Sequence, residues 1–86
     1  MTNLEKITLD ARKLEHPIPL ERAMYALRTL REDNYFYMIH RKKPIPLIDL
    51  ATEQGFNVLS REDEHGVWHI LICQNSNIDL NGLCDV

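Results

Sequence analysis

The chain has 86 residues, 44% of them hydrophobic and 27% charged, with a formal net charge of −3; this is the composition of a soluble globular protein with one core, too small for a deep catalytic cavity, so any site is expected in a shallow groove at the edge of the fold. The acidic balance argues against general affinity for nucleic acid or an anionic membrane. No apolar run approaches the length of a membrane span, and the opening MTNLEKITLD has no apolar signal core, so with two cysteines that form no CxxC pair the expected compartment is the cytoplasm.

In chain order, residues 6–12 alternate Ile7, Leu9 and Ala11 with Thr8, Asp10 and Arg12, the pattern of a half-buried strand. Pro19 suits the opening of a helix, where its missing N–H has no partner to lose. From there Leu20, Ala23, Met24, Leu27 and Leu30 recur at helical spacing, so an amphipathic helix is predicted to end near Arg31. Residues 35–40 (YFYMIH) are short and rich in aromatics, as in a strand. After Arg41, Lys42 and Lys43, Pro46 opens a second helix carrying Leu47, Leu50 and Ala51, and Gly55 stands where helices stop in a left-handed conformation. Residues 56–62 and 67–73 read as two strands joined by a hairpin loop in which Gly66 supplies the unusual backbone angle.

The predicted order is β-α-β-α-β-β. The tetrapeptide Pro-Ile-Pro-Leu occurs at 17–20 and again at 44–47, each time between a strand and a helix, which suggests two similar βα units with parallel strands. A right-handed crossover places both helices on one face. The fold class is therefore α/β (α+β): a two-layer sandwich with a four-stranded mixed sheet and two helices on one face. With Trp68, Ile70 and Ile72 toward the helices, Val67, His69 and Leu71 face outward, joined by Tyr35 and Tyr37. Such a partly apolar open face is a contact for another protein or a second copy of the chain, or it is covered by the C-terminal segment, or it is a tolerable scatter of apolar groups. Residues 1–75 form the domain and 76–86 are read as a flexible tail, in which Ile78, Leu80 and Leu83 are the residues able to dock.

The run LDARKLEHPIPL at 9–20 resembles the signature of the TusA/SirA sulfur carriers, in which a strand ending in LD-x-R-G-L leads into C-P-x-P and a helix. Lys13 stands at the usual glycine and His16 at the usual cysteine. The second departure removes the nucleophile that would carry a persulfide. The chain is more closely similar to the uncharacterised branch known as domain-of-unknown-function family 2249, through Leu9 to Arg12, Pro17 to Ala23, His40, Pro44 to Leu47, Gly55-Phe56 and Trp68 to Ile72. That resemblance implies a TusA-like fold. It also implies a context of haemerythrin-like and nitrogen-oxide metabolism proteins, and it assigns no chemistry.

His16 precedes a helix N-terminus, whose dipole disfavours positive charge. His40 ends the second strand. Parallel neighbouring strands bring both histidines to the carboxyl edge of the sheet, where ligand sites of open α/β sheets collect. His16 and His40 are the candidate metal ligands, although two imidazoles fall short of the three or four ligands of a zinc site. Arg12, Arg41 and Lys43, with Lys42, are candidate anion contacts at the helix starts. Cys73 reads as a small buried hydrophobe, Glu62, Asp63, Glu64 and His65 as a solvated hairpin tip, and no catalytic residue or cofactor is firmly implied. The expected function is a binding or partner-interaction module rather than an enzyme. The alternatives are a redox or sulfur-trafficking accessory protein and a small metal- or haem-binding protein.

Overall fold

The structure, a computed structural model, describes residues 4–84. Strand β1 (Glu5–Asp10) leads to helix α1 (Ile18–Thr29), strand β2 (Asn34–His40), helix α2 (Ile45–Glu53), the hairpin β3 (Asn57–Glu62) and β4 (Trp68–Cys73), and a 3-10 turn η1 (Leu80–Gly82). The four strands lie in the order β1-β2-β4-β3, with β1 parallel to β2 and the other pairs antiparallel. The predicted element order, mixed sheet and two-layer architecture are all present.

Helix α1 begins one residue before Pro19, because Ile18 can still donate its N–H to the Glu15 carbonyl. It ends at Thr29, short of Arg31. Leu30 turns to an extended conformation (ψ 137°), and the Asn34 side chain accepts the Arg31 N–H at 2.8 Å, drawing that amide into the turn. Helix α2 stops as expected at Gly55 (φ +85°). Gly55 donates to Thr52 and Phe56 to Ala51, the paired bonds of a Schellman motif, which needs a left-handed residue at that point. Gly66, at φ +78°, closes the hairpin loop with its N–H on the Asp63 carbonyl.

Alternation along the strands sorts the side chains between two faces. On one, Ile7, Leu9, Phe36, Met38, Val58, Trp68, Ile70 and Ile72 pack against Ala23, Ala26 and Leu27 of α1 and Leu47 and Ala51 of α2. On the other, Tyr35, Leu71 and Cys73 meet Leu80, with Leu4, Tyr37, Leu59, Ile78, Leu83 and Cys84 around them.

Of the segment read as a tail, the described part thus lies over this second face. Asn57 Nδ2 donates to the Ile78 carbonyl at 2.8 Å, Arg61 bonds the Asn81 side chain, and the Asp79 carboxylate caps η1 through the Asn81 N–H at 3.0 Å. Residues 85 and 86 lie outside the described residues. Of the expectations for the open face, cover by the C-terminal segment holds around Tyr35, Leu71 and Cys73, where Leu80 is buried against them. No helix among the described residues is long and apolar enough to cross a membrane.

Candidate functional site

Parallel pairing sets Asp10 beside Ile39 and extends through the Ala11 N–H to the Ile39 carbonyl at 2.7 Å. The chain therefore leaves β1 and β2 at one edge, and both following loops arrive there. Between them and the two helix starts lies a groove of about 500 Å³. Its apolar floor includes Leu14, Leu20, Met38 and Leu47; its polar lining is Glu15, His16, His40, Arg41, Lys42 and Lys43. Both Pro-Ile-Pro-Leu segments contribute, through Pro19 and Leu20 and through Pro44, Pro46 and Leu47.

These segments shape the local hydrogen bonding. The His16-Pro17 peptide is cis. Neither helix has a side-chain N-cap. Ile18 and Ile45 donate to Glu15 and Lys43, Pro19 and Pro46 have no N–H, and the first intrahelical-type bonds are those of Glu21 and Ile48. One amide is left in each first turn, that of Leu20 and that of Leu47, and neither finds a partner among the described residues. Helix N–H groups point out of the N-terminal end, which is the end that opens on the groove.

His40 is half-buried, and its Nδ1 accepts the Arg41 N–H at 2.8 Å. A ring nitrogen that accepts cannot hold the proton, so the neutral imidazole carries it on Nε2 and offers a donor. Burial, followed by the charges of Arg41 and Lys42, pushes the His40 pKa below its ordinary value, which favours this neutral form. Lys43 Nζ sits 5.5 Å from the Trp68 ring centroid, a cation–π distance that fixes the ammonium at the rim. Trp68 is the register partner of His40. Arg41, Lys42 and Lys43 form no ion pair among the described residues.

His16, His40, Arg41 and Lys43 thus share one groove. Arg12 does not line it: its guanidinium is held by Asp10 through Nε at 2.9 Å and Nη2 at 2.7 Å. That pair, with the Arg12 amide, holds the Asp10 carboxyl down at about 2. Among the described residues no three His, Cys, Asp or Glu side chains form a metal-holding group, and the Arg41 amide occupies His40 Nδ1.

The family of proteins described as "Uncharacterized conserved protein (DUF2249)" matches residues 8–74. The chain belongs to this family. The DUF2249 match takes in every groove residue, the second half of β1 and the whole of β2, β3 and β4, and stops before Leu80. No curated protein and no solved structure matches the chain.

This DUF2249 chain holds a second polar constellation, on the opposite face of the sheet, that sequence reasoning missed. Tyr37 Oη lies 2.6 Å from His69 Nδ1, and His69 Nε2 lies 2.9 Å from Asp63 Oδ2. Asp63 Oδ1 also accepts the N–H groups of His65 (2.8 Å) and Val67 (3.0 Å). The His69 hydrogen bond, then the Val67 amide, hold the Asp63 carboxyl down at about 2. An anionic Asp63 fixes the neutral ring as Nε2–H, so Nδ1 accepts from the Tyr37 hydroxyl. Outward alternation of Tyr37 and His69 was visible in the sequence; their diagonal pairing needed the strand register. Asp63 was read as part of a solvated tip, although Asp followed three residues later by Gly is also the mark of an Asx-type turn.

Cys73 is buried and donates its thiol to the Asn75 carbonyl (3.4 Å). Burial pushes its pKa up, so it stays a thiol rather than the nucleophilic thiolate. Both cysteines are free.

Proposed function

We propose that this chain is a TusA-like scaffold acting as a non-enzymatic, cytoplasmic recognition module, with the His16/His40 groove as the seat of its ligand or partner. The observation that carries this reading is the convergence of both βα units on one groove where, among the described residues, Arg41, Lys42 and Lys43 have no carboxylate partner and the Leu20 and Leu47 amides have no acceptor. No hydroxyl or thiol nucleophile is among the lining side chains. At the carrier cysteine's position His16 stands exposed on the rim, suited to contact and unable to form a persulfide.

Native mass spectrometry of protein purified without a metal-affinity tag tests the proposal. The expected result is a species free of metal and persulfide, with any retained ligand lost in the double variant Arg41→Glu/Lys43→Glu. A +32 Da form mapping to Cys73 or Cys84 would transfer the function to sulfur trafficking. Stoichiometric zinc or haem that disappears in His40→Ala would transfer it to metal or haem binding.

A further inference from the structure

The groove has two chemically different halves. Its floor is aliphatic and closed: Met38 and Leu47 are at most 1% exposed and belong to the main core, and Leu14 and Leu20 pack against that core. Its rim is cationic. Arg41, Lys42 and Lys43 face a single lining carboxylate, Glu15, on a chain whose net charge is −3. Like charges gathered on three consecutive residues repel one another, and an anion seated among them relieves that repulsion. Three further donors belong to lining residues: His40 Nε2–H, since Arg41 occupies Nδ1, and the amides of Leu20 and Leu47, unpartnered among the described residues. At about 500 Å³ the groove falls within the range of about 300–1,000 Å³ typical of small-molecule sites.

Resting on the reading of the groove as the recognition site, we propose that its ligand is a small amphipathic organic anion: a carboxylate or phosphate ester on an apolar, ring-sized body. The charged head sits among Arg41, Lys42 and Lys43 and takes hydrogen bonds from His40 Nε2 and the helix-start amides. The body lies over Leu14, Leu20, Met38 and Leu47. Neither half alone suffices. A bare anion leaves the aliphatic floor wet, and a neutral apolar molecule leaves the cations without a counterpart.

The test divides a probe into its parts. Amide chemical shifts of the full chain are followed by NMR with 1-naphthyl phosphate, with 1-naphthol and with inorganic phosphate. The expected result is saturable shifts at Leu20, His40, Arg41, Lys43 and Leu47 with 1-naphthyl phosphate, at a Kd at least tenfold below that of either fragment. The double variant Arg41→Glu/Lys42→Glu, both on exposed side chains, raises that Kd at least tenfold while its thermal unfolding stays that of the parent. If inorganic phosphate binds the same residues as tightly, or if 1-naphthol does, the amphipathic-anion inference falls while the groove remains the site. If no probe shifts the groove residues, or if all shifts map to the opposite sheet face around Tyr37 and Leu59, the recognition groove falls with it.

Discussion

Leu80→Ala removes the side chain through which the C-terminal segment is anchored. Leu80 is 4% exposed and packs against Tyr35, Leu71 and Cys73, so the change deletes buried methyl groups and leaves a cavity. Buried Leu→Ala changes cost about 2–5 kcal/mol. Here the lower part of that range applies, about 2–3 kcal/mol, because Ile78, Leu83 and Cys84 around the site are only partly buried and can settle into the space. Domains of this size have a total stability of roughly 4–13 kcal/mol, and each kcal/mol corresponds to about 4–8 °C in Tm. A fall of roughly 8–24 °C follows. Urea unfolding followed by circular dichroism measures it: the midpoint drops while the slope m stays unchanged. Ile45→Ala is the control, since Ile45 is 54% exposed and its truncation should stay within about 0.5 kcal/mol. If Leu80→Ala behaves like the control, the segment after β4 contributes nothing to the fold and the second face is held by the strands alone.

Gly55→Ala meets no atom within 4 Å of the new Cβ, so its cost is the left-handed backbone alone, about 1–2 kcal/mol by the same urea assay; a neutral result would show that the α2 terminus relaxes. His40 has its pKa lowered in the folded state, so between that value and 6.5 the unfolded chain binds a proton that the folded chain refuses, and stability falls as pH drops through this window. His40→Gln should flatten the decline measured between pH 7.5 and 5, and an unchanged slope would show that other groups cause it. Asp63→Asn keeps an oxygen for the His65 and Val67 amides but presents an NH₂ to His69. At pH 8 the His69 ring should therefore move from the Nε2–H to the Nδ1–H tautomer in ¹⁵N NMR, and retention of Nε2–H would refute the Tyr37–His69–Asp63 orientation.

The elements were legible because each carries a local signature: alternation in β1, the 3.6-residue period in α1, proline at both helix starts, glycine at 55 and 66. The duplicated Pro-Ile-Pro-Leu gave the parallel pairing, and with it the meeting of His16 and His40 at one edge. Boundaries were displaced where a side chain competes for backbone, as Asn34 does for Arg31 at the end of α1. The docking of Leu80 was only half legible, because residues 74–86 have few apolar side chains and their surface depends on which strand faces are exposed. Arg12 falls among the candidate anion contacts because, like Arg41, Lys42 and Lys43, it lies near a helix start; Asp10, the last residue of β1 and two residues before it, reaches it first. The His69 network is a matter of register between distant strands, which no local pattern encodes.

A two-layer sandwich of this length covers one sheet face with its helices and must deal with the other by different means. Around Tyr35 and Leu71 the C-terminal segment supplies the cover. Around His69 the polar groups satisfy one another, since the imidazole bonds both Tyr37 and Asp63 and the carboxylate also holds two backbone amides. Hydrogen-bonding capacity committed in this way is unavailable to a ligand. At the carboxyl edge of β1 and β2 the situation is reversed. Proline at the second position of each helix removes one donor, the Arg41 amide takes His40 Nδ1 and leaves Nε2 as the donor, and among the described residues one amide in each first turn has no acceptor and Arg41, Lys42 and Lys43 have no carboxylate partner. Unpaired donors and positive charge persist there because the groove is open to water, and replacing that water is what a bound anion does. The same sheet therefore has one polar site that closes on itself and one that is completed only from outside.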